Sequence, residues 1–95
     1  MLTVRLLDKA EKELREAIEW YEQQGKGLGR ELLEEFDKAE RFLAQYPESG
    51  PIMLRDIRRT LLHTFPYSLF YRVLSQEIVV FSVVHMNRSP SRWPR

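Results

Sequence analysis

The sequence contains no cysteine, so disulfides and thiolate metal sites are excluded and the chain must be held together by its apolar core. It also lacks any run of apolar residues long enough to cross a bilayer; the longest, IVVFSVV, is a strand's length. The opening MLTVRLL has no extended apolar region of the kind that signal peptides carry. These absences predict a soluble, cytoplasmic protein with no membrane partner. There is no glycine-rich phosphate loop, no clustering of metal ligands and no internal repeat, so neither a cofactor nor a metal is expected. What remains is a composition 43% hydrophobic and 31% charged in 95 residues, which fits one folded domain spanning 1–95 and is too small for separate catalytic and binding lobes.

A further absence lies in the second half. Residues 51–95 hold no lysine and only two acids, Asp56 and Glu77, against seven arginines, a balance of +5. Residues 1–50 hold eight Lys and Arg against twelve Asp and Glu, a balance of −4. A half whose cations are all guanidinium is suited to planar, bidentate contact with carboxylate or phosphate, which predicts an anionic partner.

Hydrophobic spacing divides the chain into six elements. LTVRLL, residues 2–7, has the branched side chains of a strand. Asp8 and Glu11 then form the pattern of a capping box. Ala10, Leu14, Ala17, Ile18 and Tyr21 recur at helical spacing as far as QQGKG, where two glycines can adopt the left-handed backbone of a turn. A second helix carries Leu28, Leu32, Phe36, Ala39 and Leu43 on one stripe, widened by Leu33 and Tyr46, and stops at Pro47. Two helices joined so closely form a hairpin whose apolar side needs a sheet. After PESGP, the runs IRRTLLHTF, YSLFYRVL and EIVVFSVVH read as three strands joined by connections short enough only for antiparallel neighbours. The last is apolar on both faces, which predicts an interior strand. The expected fold is therefore α+β in the order β-α-α-β-β-β, followed by a tail at 86–95.

Taken in this order, EAIEWYEQQGKGLGREL, IRRTLLHTFPYSLFYRV and VVHMNRSPSRW resemble the RelE/ParE superfamily of bacterial toxins from type II toxin–antitoxin modules. The resemblance covers nearly the whole chain, and FPY-x-x-FY-x-V and H-x-x-R-x-P-x-x-W are its most specific parts. It implies a sheet with two helices against it, a cognate antitoxin that wraps the toxin in a hetero-oligomer, and a role in growth arrest or plasmid maintenance. RelE-like members cut messenger RNA on the ribosome and ParE-like members poison DNA gyrase, so the resemblance leaves both open, together with a degenerate member that has lost toxicity. RelE-like nucleases carry lysines on the sheet and often H-x-R-R at the end. This chain has no sheet lysine and places Met86 and Asn87 before Arg88, which favours the ParE-like branch.

Metal-free RNA cleavage needs an acid, a base and cations around the phosphorane. If the chain is a nuclease, His85 is the acid or base, its ordinary pKa lying near neutrality, and Arg59, Arg72 and Arg88 hold the phosphate. Strand alternation predicts that Arg59 shares a face with Leu61 and His63, and His85 a face with Phe81 and Val83. If the chain is a binding protein, Arg58, Arg59, Arg88, Arg92, Trp93 and Arg95 form a positive surface for the target or for acidic and apolar residues of the antitoxin. Arg58 and Arg59 also fit plain edge-strand protection. Trp20, Tyr21, Phe65, Tyr67, Phe70 and Tyr71 are expected in the core. Trp93 either folds back over an apolar surface or anchors a partner.

Overall fold

The computed structural model describes residues 1–87 and has two helices packed on one face of a five-stranded, mostly antiparallel sheet. The elements are β1 (Thr3–Leu6), α1 (Asp8–Gln24), α2 (Leu28–Gln45), β2 (Ile52–Leu54), β3 (Ile57–Leu61), β4 (Tyr67–Val73) and β5 (Glu77–His85). Their order across the sheet is β1-β5-β4-β3-β2. The meander β3-β4-β5 follows from the short connections. β1 then pairs with β5 in parallel, Val4 opposite Ile78 and Leu6 opposite Val80, and this makes β5 the interior strand that its two apolar faces require.

Sequence reading places no strand at residues 52–54. The extra strand β2 is only three residues long, lies at the sheet edge with Ile52 and Met53 exposed, and turns into β3 through Arg55 at φ 53°. A pattern so short, with no buried face, carries no periodicity to read.

The helix ends also differ from expectation. Asp8 is the first helical residue rather than the cap: Leu7 takes the cap position, its carbonyl accepts from Glu11 N–H at 2.9 Å, and no side chain caps the turn. Asp8 and Glu11 still place negative charge in the first turn, where the helix dipole favours it. Of the two glycines in QQGKG, Gly27 has the left-handed backbone, φ 90°, and Gly25 is extended. Glu22 supplies what capping α2 lacks. Its carboxylate accepts from Gly27 N–H and Gly29 N–H, and those bonds hold its pKa below the ordinary value.

The main core lies between helices and sheet, with Leu14, Leu32, Phe36 and Leu43 meeting Leu69, Tyr71, Ile78, Val80 and Val83. Leu33 and Tyr46 do not widen the stripe; both are exposed. A smaller cluster, Ile57, Phe70 and Val84 with Phe81 beside it, occupies the opposite face of the sheet. The two faces are reset by a bulge in β5. Phe70 pairs with Ser82 but Tyr71 pairs with Val80, so Phe81 is the extra residue.

Candidate functional site

In a meander, neighbouring residues of one strand face opposite ways, and this decides where the candidate residues go. In β3, Arg58 pairs with Tyr71 and lies on the helix side, whereas Arg59 pairs with Phe70 and lies on the open side. Arg72 pairs with Val79 on the open side. His85 pairs with Tyr67, its ring meeting the tyrosine edge-on at 5.1 Å, and it lines a small cleft of about 260 Å³ with Glu13, Glu16, Ala17 and Trp20 of α1. His85 is thus on the helix side. The bulge separates it from Phe81, with which unbroken alternation would have grouped it, and leaves it with Val83. His63 lies beyond the end of β3 and shares no strand face with Arg59.

The sheet therefore stands between His85 and two of the three arginines expected to work with it, Arg59 and Arg72. Arg88, Arg92, Trp93 and Arg95 lie outside the described residues.

The arginines are also engaged by the protein's own groups. Arg58 Nη1 donates to the carbonyls of Glu48, 3.0 Å, and Gly50, 2.7 Å, with the Glu48 carboxylate 4.0 Å from Nη2. It ties the α2–β2 connection to the sheet. Arg72 Nε stands 3.2 Å from Asp56, and its guanidinium lies over the Phe81 ring. Arg5 of β1 and Glu77 of β5 form a two-pronged pair. These contacts raise the Arg5 pKa and lower that of Glu77 through the shared hydrogen bonds. Of the positive surface expected from the sequence, the described members Arg58 and Arg59 lie on opposite faces of the sheet.

The surface that sequence reading missed is apolar. A groove of about 950 Å³ runs between α2 and the end of β3, with Ala39 and Phe42 on one wall and Leu61, Leu62 and Phe65 on the other. The Phe42 and Tyr46 rings lie 5.0 Å apart with their planes tilted by 44° and are about half exposed, and Leu61, Ile52 and Met53 expose further apolar area toward the β2 edge. Large apolar side chains clustered in this way mark interaction surfaces. Phe42 sits one position before the buried Leu43, so helical periodicity assigns it to solvent and gives no hint of a second apolar face. Trp20, expected in the core, is likewise 54% exposed, edge-on to Tyr21 at the cleft holding His85. Tyr21 continues inward to Phe65 and Tyr67.

Glu35 fixes the rim of the groove. Its carboxylate accepts from the backbone N–H groups of His63, 2.7 Å, Thr64, 2.6 Å, and Phe65, 3.3 Å, and so locks the β3–β4 connection to α2.

The family model for the ParE toxin of the type II toxin–antitoxin system parDE matches residues 4–90. The chain belongs to the ParE toxin family. Its fold is shared with a solved chain of the chromosomal ParDE TA system from P. aeruginosa, at a TM-score of 0.79 and 20% identity, over 92% of this chain and 98% of that one. No curated protein sequence matches it. In this ParE-family chain no group of three or more His, Cys, Asp or Glu residues is placed to hold a metal ion among the described residues, and no helix there is long and apolar enough to cross a membrane.

Proposed function

We propose that this ParE-family chain is the toxin of a type II module in the cytoplasm, that it arrests growth by binding DNA gyrase through protein–protein contact, and that a cognate antitoxin neutralises it. One observation carries the choice of binding over RNA cleavage. His85 lies on the helix side of the sheet, whereas Arg59 and Arg72 lie on the other. An in-line phosphoryl transfer needs its acid, base and cations around one phosphate, within hydrogen-bond reach of it. A binding protein has no such requirement.

The groove beside α2 supports the antitoxin part of the proposal. Its exposed Phe42 and its length along a helix suit an amphipathic helix that lays an apolar stripe into it. Glu31 and Glu34 border the groove together with Lys38, so that segment needs basic residues facing the two glutamates, and acidic residues where it meets Lys38 and the tail arginines. Such a pair would form a toxin–antitoxin hetero-oligomer, and a module of this kind stabilises a plasmid or persists on a chromosome.

Purified toxin added to a gyrase supercoiling reaction, in parallel with ribosomes programmed with messenger RNA, tests the target. Loss of supercoiling without RNA cuts is the expected result. Cuts that vanish with His85→Ala or Arg59→Ala would replace the proposal with an endoribonuclease, and silence in both reactions would mean a member without toxicity.

A further inference from the structure

The cleft between α1 and the end of β5 is sized and charged for a single side chain. At about 260 Å³ it falls below the roughly 300–1,000 Å³ of pockets that enclose whole small molecules. Its walls carry two carboxylates, Glu13 and Glu16, and the rings of Trp20, Tyr67 and His85, with no lysine or arginine among the lining residues. The carboxylates differ in how far they are used. Glu13 is committed to the fold: it accepts from Val83 N–H at 2.9 Å and from the Ser82 hydroxyl at 3.2 Å, and Lys9 neutralises it at 3.0 Å. Glu16 is exposed, and its carboxylate pairs with no described residue. His85 Nδ1 accepts from Asn87 N–H at 3.1 Å, so that nitrogen holds no proton and the imidazole is neutral. A cation entering the cleft meets one uncompensated negative charge, an indole more than half exposed, and no opposing charge on the walls.

The edge of β5 adds acceptors. Tyr67 donates its N–H to the Phe65 carbonyl, and its own carbonyl accepts from Leu62 N–H, so its pairing with His85 is of the kind that exchanges no hydrogen bonds. His85, and Val83 two residues before it, therefore turn their backbone groups to the other side, where β1 has already ended opposite Val80. Glu13 takes the Val83 N–H there, and no described group bonds the carbonyl of Val83 or of His85.

We propose that this cleft receives the guanidinium of an arginine from a protein partner, stacked on Trp20, paired with Glu16 and donating to the Val83 and His85 carbonyls. A guanidinium carries five N–H donors in one plane, so it can serve a carboxylate and two carbonyls while a face lies on the indole. An ammonium has three donors and no face. The groove beside α2 shares no lining residue with the cleft, so a helix seated in the groove leaves it open. His85 supplies a backbone carbonyl and an uncharged wall, and the site does not require the imidazole.

Blocked arginine, the Nα-acetyl amide, titrated into the isotope-labelled full chain tests the assignment by nuclear magnetic resonance. Saturable shifts centred on the Trp20 indole N–H and the amides of Glu16 and Val83 are expected. Blocked citrulline, of the same shape but uncharged, should give none, and blocked lysine should bind more weakly. Glu16→Gln and Trp20→Leu, both at exposed positions and checked for folding by circular dichroism, should each weaken arginine binding about two- to fivefold, the scale of an exposed ion pair or cation–π contact. Absence of saturable shifts, citrulline or lysine binding as tightly as arginine, or Glu16→Gln without effect would overturn the proposal. Against whole proteins, Glu16→Arg should weaken the complex with the antitoxin or with gyrase, and the one affected identifies the source of the arginine; two unchanged affinities would overturn the partner assignment. The arginine titration reads the cleft whether or not gyrase is the target.

Discussion

Tyr71 shows how much one side chain can hold. Its ring is fully buried in the main core, and its hydroxyl accepts from Gly50 N–H and donates to the Pro47 carbonyl, each at 3.0 Å. The loop after α2 is thereby pinned to the sheet's centre. Tyr71→Phe leaves a buried N–H and a carbonyl without that partner, and chemical denaturation should register a loss of about 1–3 kcal/mol. Gly50 pairs with it for steric reasons. A Cβ there would stand 2.4 Å from the Arg59 carbonyl oxygen and 2.6 Å from the Tyr71 hydroxyl, so Gly50→Ala should destabilise more than Tyr71→Phe. Glu22 provides a pH-dependent case. Its folded pKa is lowered by the Gly27 and Gly29 N–H groups, so its contribution is present above the ordinary carboxylate pKa and is lost as pH falls through the lower folded value. The stability difference between the parent and Glu22→Gln should therefore be largest near neutrality and shrink in acid, which denaturation series at several pH values would measure.

At the scale of elements, α1 and α2 meet at Gly29, where a Cβ would come 2.9 Å from the Ile18 carbonyl oxygen. Gly29→Ala should thus lower the melting temperature even though alanine is the better helix former, because the hairpin would have to part. The Glu35 latch makes a complementary case: Glu35→Ala releases three backbone N–H groups and should increase hydrogen exchange at 63–65 without unfolding the sheet. The helices and the three longer strands were legible in the sequence because their apolar residues recur at periods of 3.6 or 2 over many residues. The burial of Tyr71 was legible in the same way, from its alternation with Leu69 and Val73. β2 was not, since three exposed residues have no period. Nor was the bulge at Phe81. It depends on pairing with β4, where Glu13 of α1 accepts from Val83 N–H and the Ser82 hydroxyl while Lys9 donates to Ser82, and these are contacts over some 70 positions.

At the scale of the whole molecule, the candidate site was legible only as residue types. Arg58, Arg59, Arg72 and His85 were found by their chemistry, but a single bulge and the parity of strand positions decide which of them can meet. The groove beside α2 escaped because Phe42, its exposed aromatic, lies off the helical stripe. Phe42→Glu, at an exposed position, should leave the fold intact and weaken antitoxin binding tenfold or more by calorimetry, as expected for a charge placed in the centre of an apolar contact. Toxicity by surface contact, as proposed, needs no imidazole. The most direct test is the dose–response of gyrase supercoiling against purified His85→Ala toxin. A curve superimposable on that of the parent protein is the expected result; supercoiling undisturbed by the parent, or inhibition lost with the histidine, would contradict it.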